Sequence, residues 1–388
     1  MNVKQIATIL QTIIDEVIGG TGDVGLVQED LSNIVDVGRQ ILDNTSTDNY
    51  VRMLINRIGR TEFVNRTLAS TAPTITRDSW EYGSILQKVR CSLPSVNNNP
   101  TWQLVRGQSV DPFIYNPPEV TAKYFNSKTT FEIDVSFTEI QAKESLTSAS
   151  EMVRFVAMIE NRIRTCLTLS RDNLIMRTIV NLIAEKIASN QTVINLLSEY
   201  NDSFGTSLTA AKAIKDPDFL RFASATIKLY SDRLKTASIL YNNEGVVTFT
   251  PKEYQHLVLL SEFATGLEVY LYSDTYHEEL LKLGAFDTVA FWQGTGDTAA
   301  PNFTTASSIK AIIASDGETE VDTNGVIGVL FDRDACAVCN DNPRVTSIYN
   351  PRGEYTNYFY KTDCSYINDL AENVVVFVVT DPTSQSNS

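Results

Sequence analysis

Forty consecutive residues, Ser150 to Ser189, contain neither proline nor glycine. The two residues that most readily end a helix are therefore missing from a stretch far longer than an ordinary helix needs. Within it Met152, Phe155, Val156, Ile159, Ile163, Cys166, Leu167, Leu174, Val180, Ile183 and Ile187 recur at helical spacing. That pattern predicts a helix with one apolar face, on the order of 60 Å long at the helical rise. The stripe slips near Ser170, which leaves a break at Ser170-Arg171-Asp172 open. Six basic residues outnumber four acidic ones along the segment. A solvated helix face accounts for that excess. The functional alternative is a basic face on which Arg164 and Arg171, seven apart, meet acidic neighbours or loosely face DNA.

The rest of the chain is mixed. KTTFEIDVSF, Lys128 to Phe137, alternates apolar and polar residues as a strand with one buried face does. Ser84 to Leu93 reads as its partner strand. The Asn-, Pro- and Gly-rich segment between them is too long for a loop inside a compact domain and suits a projecting hairpin that reaches onto another subunit. Helices are expected over residues 3–18, stopped by Gly19-Gly20, and over 29–42 and 48–59. Only Lys4 and Arg39 offset seven acidic residues in the first 45, so this is an acidic amphipathic arm. Asp216-Pro217 opens a helix to about Lys235. Beyond it, strands at Ser238 to Tyr241, Val269 to Tyr272 and Val326 to Phe331 alternate with helices at Pro251 to Phe263 and Glu278 to Leu283, and Gly294 to Ser308 is a loop. The last elements are strands, Glu354 to Lys361 and Asn373 to Thr380, before a frayed tail. The class is α+β, in two or three structural units for 388 residues.

The net charge of −15 argues against affinity for a nucleic-acid backbone. The longest apolar runs, such as Val374 to Val379, have strand length, so no membrane span is expected. Asp15 and Glu16 interrupt the N-terminal apolar pattern, which makes it a helix and not a secretion signal. Five cysteines in a chain this long do not make a disulfide framework. Cys336 and Cys339 form one CxxC, open to a redox pair or half a zinc site, but better read as small apolar fillers in a strand-turn-strand segment. His256 and His277 are the two histidines. No nucleophile elbow, P-loop or HExxH occurs, and the G-x-G of the 294–308 loop lacks a strand-to-helix setting. No catalytic, cofactor or metal site is expected.

Near the C-terminus stands YNPRGEYTNYFY, Tyr349 to Tyr360. Pro351 fixes φ and Gly353 accepts positive φ, so Asn350-Pro351-Arg352-Gly353 is a stiff turn into an aromatic strand. The whole segment Ile327 to Val379, with Asp332-Arg333-Asp334 ahead of this turn and an apolar strand at its end, resembles the end of the major capsid protein of small short-tailed phages of the phi twenty-nine-like group. Two upstream blocks are similar as well. One is Val35 to Gly59, with VGRQIL and YVRMLINRIG; the other is Phe125 to Val180, with FTEIQAKESLTSASEMV.

The resemblance implies a Hong Kong ninety-seven-type capsid fold. Its parts would be an N-terminal arm (1–46), a peripheral domain with the spine helix (47–79, 138–218 and 354–388), an extended hairpin (80–137) and an axial domain (219–353). Some relatives carry a further immunoglobulin-like domain, expected to be missing here since the chain ends at Ser388, and no long N-terminal segment serves as a built-in scaffold. The implied function is assembly of an icosahedral or prolate head shell around double-stranded DNA. The implied partners are further copies in pentamers and hexamers, a separate scaffolding protein, a portal protein and packaged DNA in non-specific proximity, with no membrane. The implied location is the virion, after assembly in the host cytoplasm. Arg352 is expected to make a charge-assisted bond to a carboxylate, within the subunit or across a subunit contact. An encapsulin-like compartment and a surface hydrolase are the competing readings.

Overall fold

The computed structural model describes residues 72–77, 86–94, 96, 99–109, 113, 115–138, 149–271, 286–292, 307–313 and 317–381, with isolated positions between 7 and 39. Apart from those isolated positions, the helices expected over 3–18, 29–42, 48–59 and Glu278 to Leu283, nearly all of the 294–308 loop and the tail past Asp381 lie outside these residues. In chain order the described strands are β1 (Thr76–Arg77), β2 (Leu86–Cys91), β3 (Val120–Phe125), β4 (Lys128–Thr138), β5 (Val193–Asn195), β6 (Gln255–Leu260), β7 (Asp287–Val289), β8 (Ile309–Ile312), β9 (Glu320–Thr323), β10 (Val326–Asp332), β11 (Cys336–Asn350), β12 (Tyr355–Asn368) and β13 (Val374–Val378). The α-helices are α1 (Ala149–Ser189), α2 (Leu196–Phe204), α3 (Ala210–Ala213), α4 (Pro217–Arg233) and α5 (Ser261–Gly266). The chain forms two compact units, one of Met1–Ala72, Lys128–Ile175 and Cys339–Ser365, the other of Pro73–Ser127, Met176–Val338 and Tyr366–Ser388.

Helix α1 is continuous over 41 residues, with no break at Ser170-Arg171-Asp172. Nothing there lacks a backbone donor, so a slip in the apolar stripe bends the pattern without ending the helix. The one-sided stripe does not persist. From Met176 to Lys186 only Arg177 is exposed, because Met176, Ile179, Val180, Leu182, Ile183 and Ala184 surround the helix with apolar groups. Asn190, with φ of 48°, takes the left-handed conformation that stops it. Lys186 is fully buried, its Nζ donating to the Tyr241 carbonyl at 3.1 Å and to Asn243 Oδ1 at 2.7 Å. Burial lowers its pKa to about 8.

In the first unit, β4 and β12 pair antiparallel from Tyr355 opposite Thr138 to Ser365 opposite Lys128. Strand alternation divides the pair into two faces. Tyr358 and Tyr360 are buried opposite Val135 and Ile133. On the other face, partners in register bond directly: Lys361 with Glu132 at 2.7 Å, Thr130 to Asp363 at 2.7 Å and Ser136 to Asn357 at 2.6 Å. The partner of β4 is thus β12, not the 84–93 segment. Alternation reveals that a strand has a buried face but not which strand lies beside it; that is decided by the aromatic face of β12, far off in sequence. These strands belong to a four-stranded sheet of order β1-β11-β12-β4.

The second unit is built on a five-stranded mixed sheet of order β5-β13-β10-β6-β7. Every residue of β10 and β13 is buried, which explains their unbroken apolar runs. Gly328 lets β10 approach β6, since a Cβ there would lie 2.6 Å from the Leu259 side chain and 2.9 Å from the Val258 carbonyl. A shared apolar core joins the sheet to helices α2, α4 and α5, with Leu197, Tyr200, Phe219, Ile227, Phe263 and Phe377 among its members. Helix α4 starts as expected: the Asp216 carboxylate accepts from the amides of Asp218 and Phe219, and Pro217 sits in the first turn. Three local expectations are corrected. Residues 251–263 form a 3-10 turn, strand β6 and α5 instead of one helix, because QHLVLL is drawn between β10 and β7. The expected strand at 269–272 begins within a π-helical turn, Leu267–Leu271, that continues α5. The strand at 238–241 reduces to a single bridge between Ser238 and Thr248.

Candidate functional site

Strands β2 and β3 pair in register from Leu86 opposite Phe125 to Cys91 opposite Val120, and form a two-stranded sheet of their own. The segment between them carries large apolar side chains turned into solvent. Val96 is 97% exposed, Trp102 95%, Phe113 90% and Tyr115 84%. Asn99 caps the short 3-10 turn that carries Trp102, its Oδ1 accepting from the Thr101 amide at 2.9 Å. A chain folding alone in water gains nothing from holding such groups outward.

The base of this hairpin is held by charge within its own unit. Lys88 Nζ donates to Asp369 Oδ2 at 2.8 Å and to the Asp334 carbonyl at 2.6 Å. Lys123 Nζ donates to Asp369 Oδ1 at 3.0 Å and pairs with Glu244. Arg90 pairs with Glu372 and donates to the Ala371 carbonyl at 3.1 Å. Burial pushes the Asp369 carboxyl up, but the bonds from Lys88 and Lys123 outweigh it and hold it below the usual carboxylate range. Burial keeps Glu372 above that range despite Lys88 and Arg90. The sequence analysis did not find this cluster. Its one available signal was Lys88-x-Arg90, which places two cations on one face of a strand.

The expected turn residues come together. Asn350 Oδ1 accepts from the Arg352 amide at 3.0 Å and the Gly353 amide at 3.2 Å, and Asn350 Nδ2 donates to Tyr355 Oη at 3.0 Å. Gly353 is not the residue with positive φ; Glu354 is, at 48°. What Gly353 provides is room, since a Cβ there would lie 2.5 Å from the Tyr355 ring. Pro351 and Arg352 are exposed, and the Arg352 guanidinium enters none of the ion pairs formed among the described residues. Arg171 is half-buried in α1; the backbone of Arg164 is in the same helix, and its side chain lies outside the described residues.

No disulfide joins the described cysteines. Cys336 and Cys339 are buried on one strand, and three residues apart they point to opposite faces. Burial drives the Cys336 thiol pKa well up. Cys364 is also buried, Cys166 is half-buried and Cys91, on β2, is exposed. Among the described residues no group of His, Cys, Asp and Glu is placed to hold a metal, and no helix is long and apolar enough to cross a membrane.

A long helix, a mixed sheet carrying helices and a separate apolar hairpin are the parts of the Hong Kong ninety-seven-type fold, the fold of phage capsid proteins. A chain in the capsid structure of Staphylococcus phage Andhra matches with a TM-score of 0.52 at 9% identity, over 79% of this chain and 83% of that one. A chain in the structure of head fiber and inner core protein gp22 of native bacteriophage P68 matches with a TM-score of 0.51 at 7% identity, over 78% and 83%. No curated protein matches. The family model described as Phi29-like phage major capsid protein matches residues 10–378, and the chain belongs to that family. It is a structural component of the virion that forms the phage head shell.

Proposed function

We propose that the chain builds the head from pentamers and hexamers in which the hairpin of each subunit lies on a neighbour. The observation that supports this most is the apolar tip, with Val96, Trp102, Phe113 and Tyr115 exposed on an element that pairs with no other strand among the described residues. In this reading residues 80–137 are the overlapping hairpin, 1–46 an arm and 219–353 the axial domain, with the remainder peripheral. The protein performs no catalysis; its work is the burial of modest contacts repeated over a closed surface. Arg352, without an ion pair in its own described chain, finds a carboxylate on a neighbour. Arg164 and Arg171 on α1 are proposed to meet acidic groups or packaged DNA. A separate scaffolding protein sets the size during assembly in the host cytoplasm, and a portal protein occupies one vertex. Shells of native size from this chain alone would remove the need for the scaffold. The net charge of −15 keeps packaged DNA from adhering to the wall.

The test is electron microscopy of the wild type and of a Trp102→Ser, Phe113→Ser variant, each expressed with the neighbouring phage genes. The variant is expected to melt like the wild type yet to yield no shells. Normal shells from the variant would sink the hairpin's role, and a wild type that stays monomeric would sink assembly itself.

A further inference from the structure

Lys88 and Lys123 stand directly opposite one another in the β2–β3 register. Two ammonium groups facing across a strand pair repel, so this register is costly unless an anion lies between them. Asp369 is that anion, one carboxylate oxygen on each lysine, with its side chain wholly buried. The carboxylate is itself fixed. The Asp369 amide donates to the Ala335 carbonyl at 2.8 Å, and the Ala371 amide donates to Asp369 Oδ1 at 3.2 Å. The other charges facing it are Arg90 at 3.8 Å and Glu372, with Glu244 on the far side of Lys123.

We propose that Asp369 is the positioning residue of the hairpin: its carboxylate bridges Lys88 and Lys123, and this bridge fixes the direction in which the apolar tip is presented. The inference rests on the hairpin's role in assembly, and adds a device that the hairpin itself does not contain. The turn 369–372 leads, through Asn373, into β13, a strand buried at every residue. The hairpin is thus tied to the core by side-chain contacts centred on Asp369, with Arg90–Glu372, Lys123–Glu244 and the Lys88 bond to the Asp334 carbonyl around it. Removing the charge leaves two lysines facing each other across an uncharged side chain, and the hairpin loosens against its remaining contacts to Glu372 and Glu244 while β10 and β13 stay folded.

Hydrogen exchange of the full-length, unassembled subunit reads this without any shell, so its failure differs from failure of the hairpin's contact role. In Asp369→Asn the amides of 86–91 and 120–125 are expected to exchange faster by about tenfold or more, with β10 and β13 unchanged. Adding Lys88→Gln to Asp369→Asn dissolves the facing pair and is expected to restore much of the protection. A residue that only packs would show no such rescue. Wild-type exchange in Asp369→Asn, or no rescue in the double variant, overturns the proposal. Should Asp369→Asn loosen the core as well, the double variant still decides: protection regained in core and hairpin together supports the bridge, and protection regained in neither overturns it.

Discussion

Tyr355 closes the turn that Asn350 opens. Its hydroxyl meets the Asn350 amide and its ring occupies the space that a side chain at position 353 would need. Gly353→Ala is expected to destabilise the subunit by about 1–2 kcal/mol, seen as a lower melting temperature, because the ring must shift. Asn350→Ala leaves two amides without their acceptor and the phenol without its donor, at a similar cost of roughly 1–2 kcal/mol. Lys186 carries a prediction of a different kind. Its folded pKa is about 8 and the ordinary lysine value is 10.5, so the unfolded chain holds one more proton between those limits. The contribution of this site to stability therefore rises with pH across that window. Urea unfolding from pH 8 to 10.5 is expected to show a flatter rise in Lys186→Met than in the wild type.

Elements differ in how plainly the sequence announces them. Helix α1 was legible because its length depends only on local composition, and α4 because Asp216 and Pro217 mark its start. Strand β6 was not. Six residues, QHLVLL, are too few to separate strand from helix by period, and their state is set by neighbours more than 25 residues away, β7 at Asp287–Val289 and β10 at Val326–Asp332. The stiff turn was legible as a turn, while Glu354 taking the positive φ depends on where the Tyr355 ring lies. The sequence pairs Ser84 to Leu93 with Lys128 to Phe137; that the partner of β2 is instead β3, and that the anchoring carboxylate lies 281 residues from Lys88, could not be read there. At this scale the central strands should matter most. Phe377→Ala, in a wholly buried position shared by sheet and helices, is expected to cost about 3–5 kcal/mol in denaturant unfolding.

For the whole molecule, small changes at a contact are repeated in every subunit of a shell. A loss of about 1.4 kcal/mol per subunit raises the concentration needed for assembly roughly tenfold. Arg352→Ala is accordingly expected to leave the subunit's melting temperature unchanged while moving the assembly threshold upward, as followed by light scattering against protein concentration. Equal thresholds would return Arg352 to the role of a solvated turn residue. The charge of −15 acts in the same currency with the opposite sign, since like-charged subunits must be brought together. Assembly yield is therefore expected to increase with moderate salt, which screens that repulsion.

The placement of cysteines turns the chain into its own reporter. Three thiols are sealed in the interior and a fourth is half-covered, while Cys91 stands exposed at the end of β2 where the apolar segment begins. A thiol-specific dye should thus react quickly at one position per free subunit, with no engineered label. If neighbours cover the hairpin, that fast phase disappears as shells close, and its decay times the burial of this surface separately from the growth of particles.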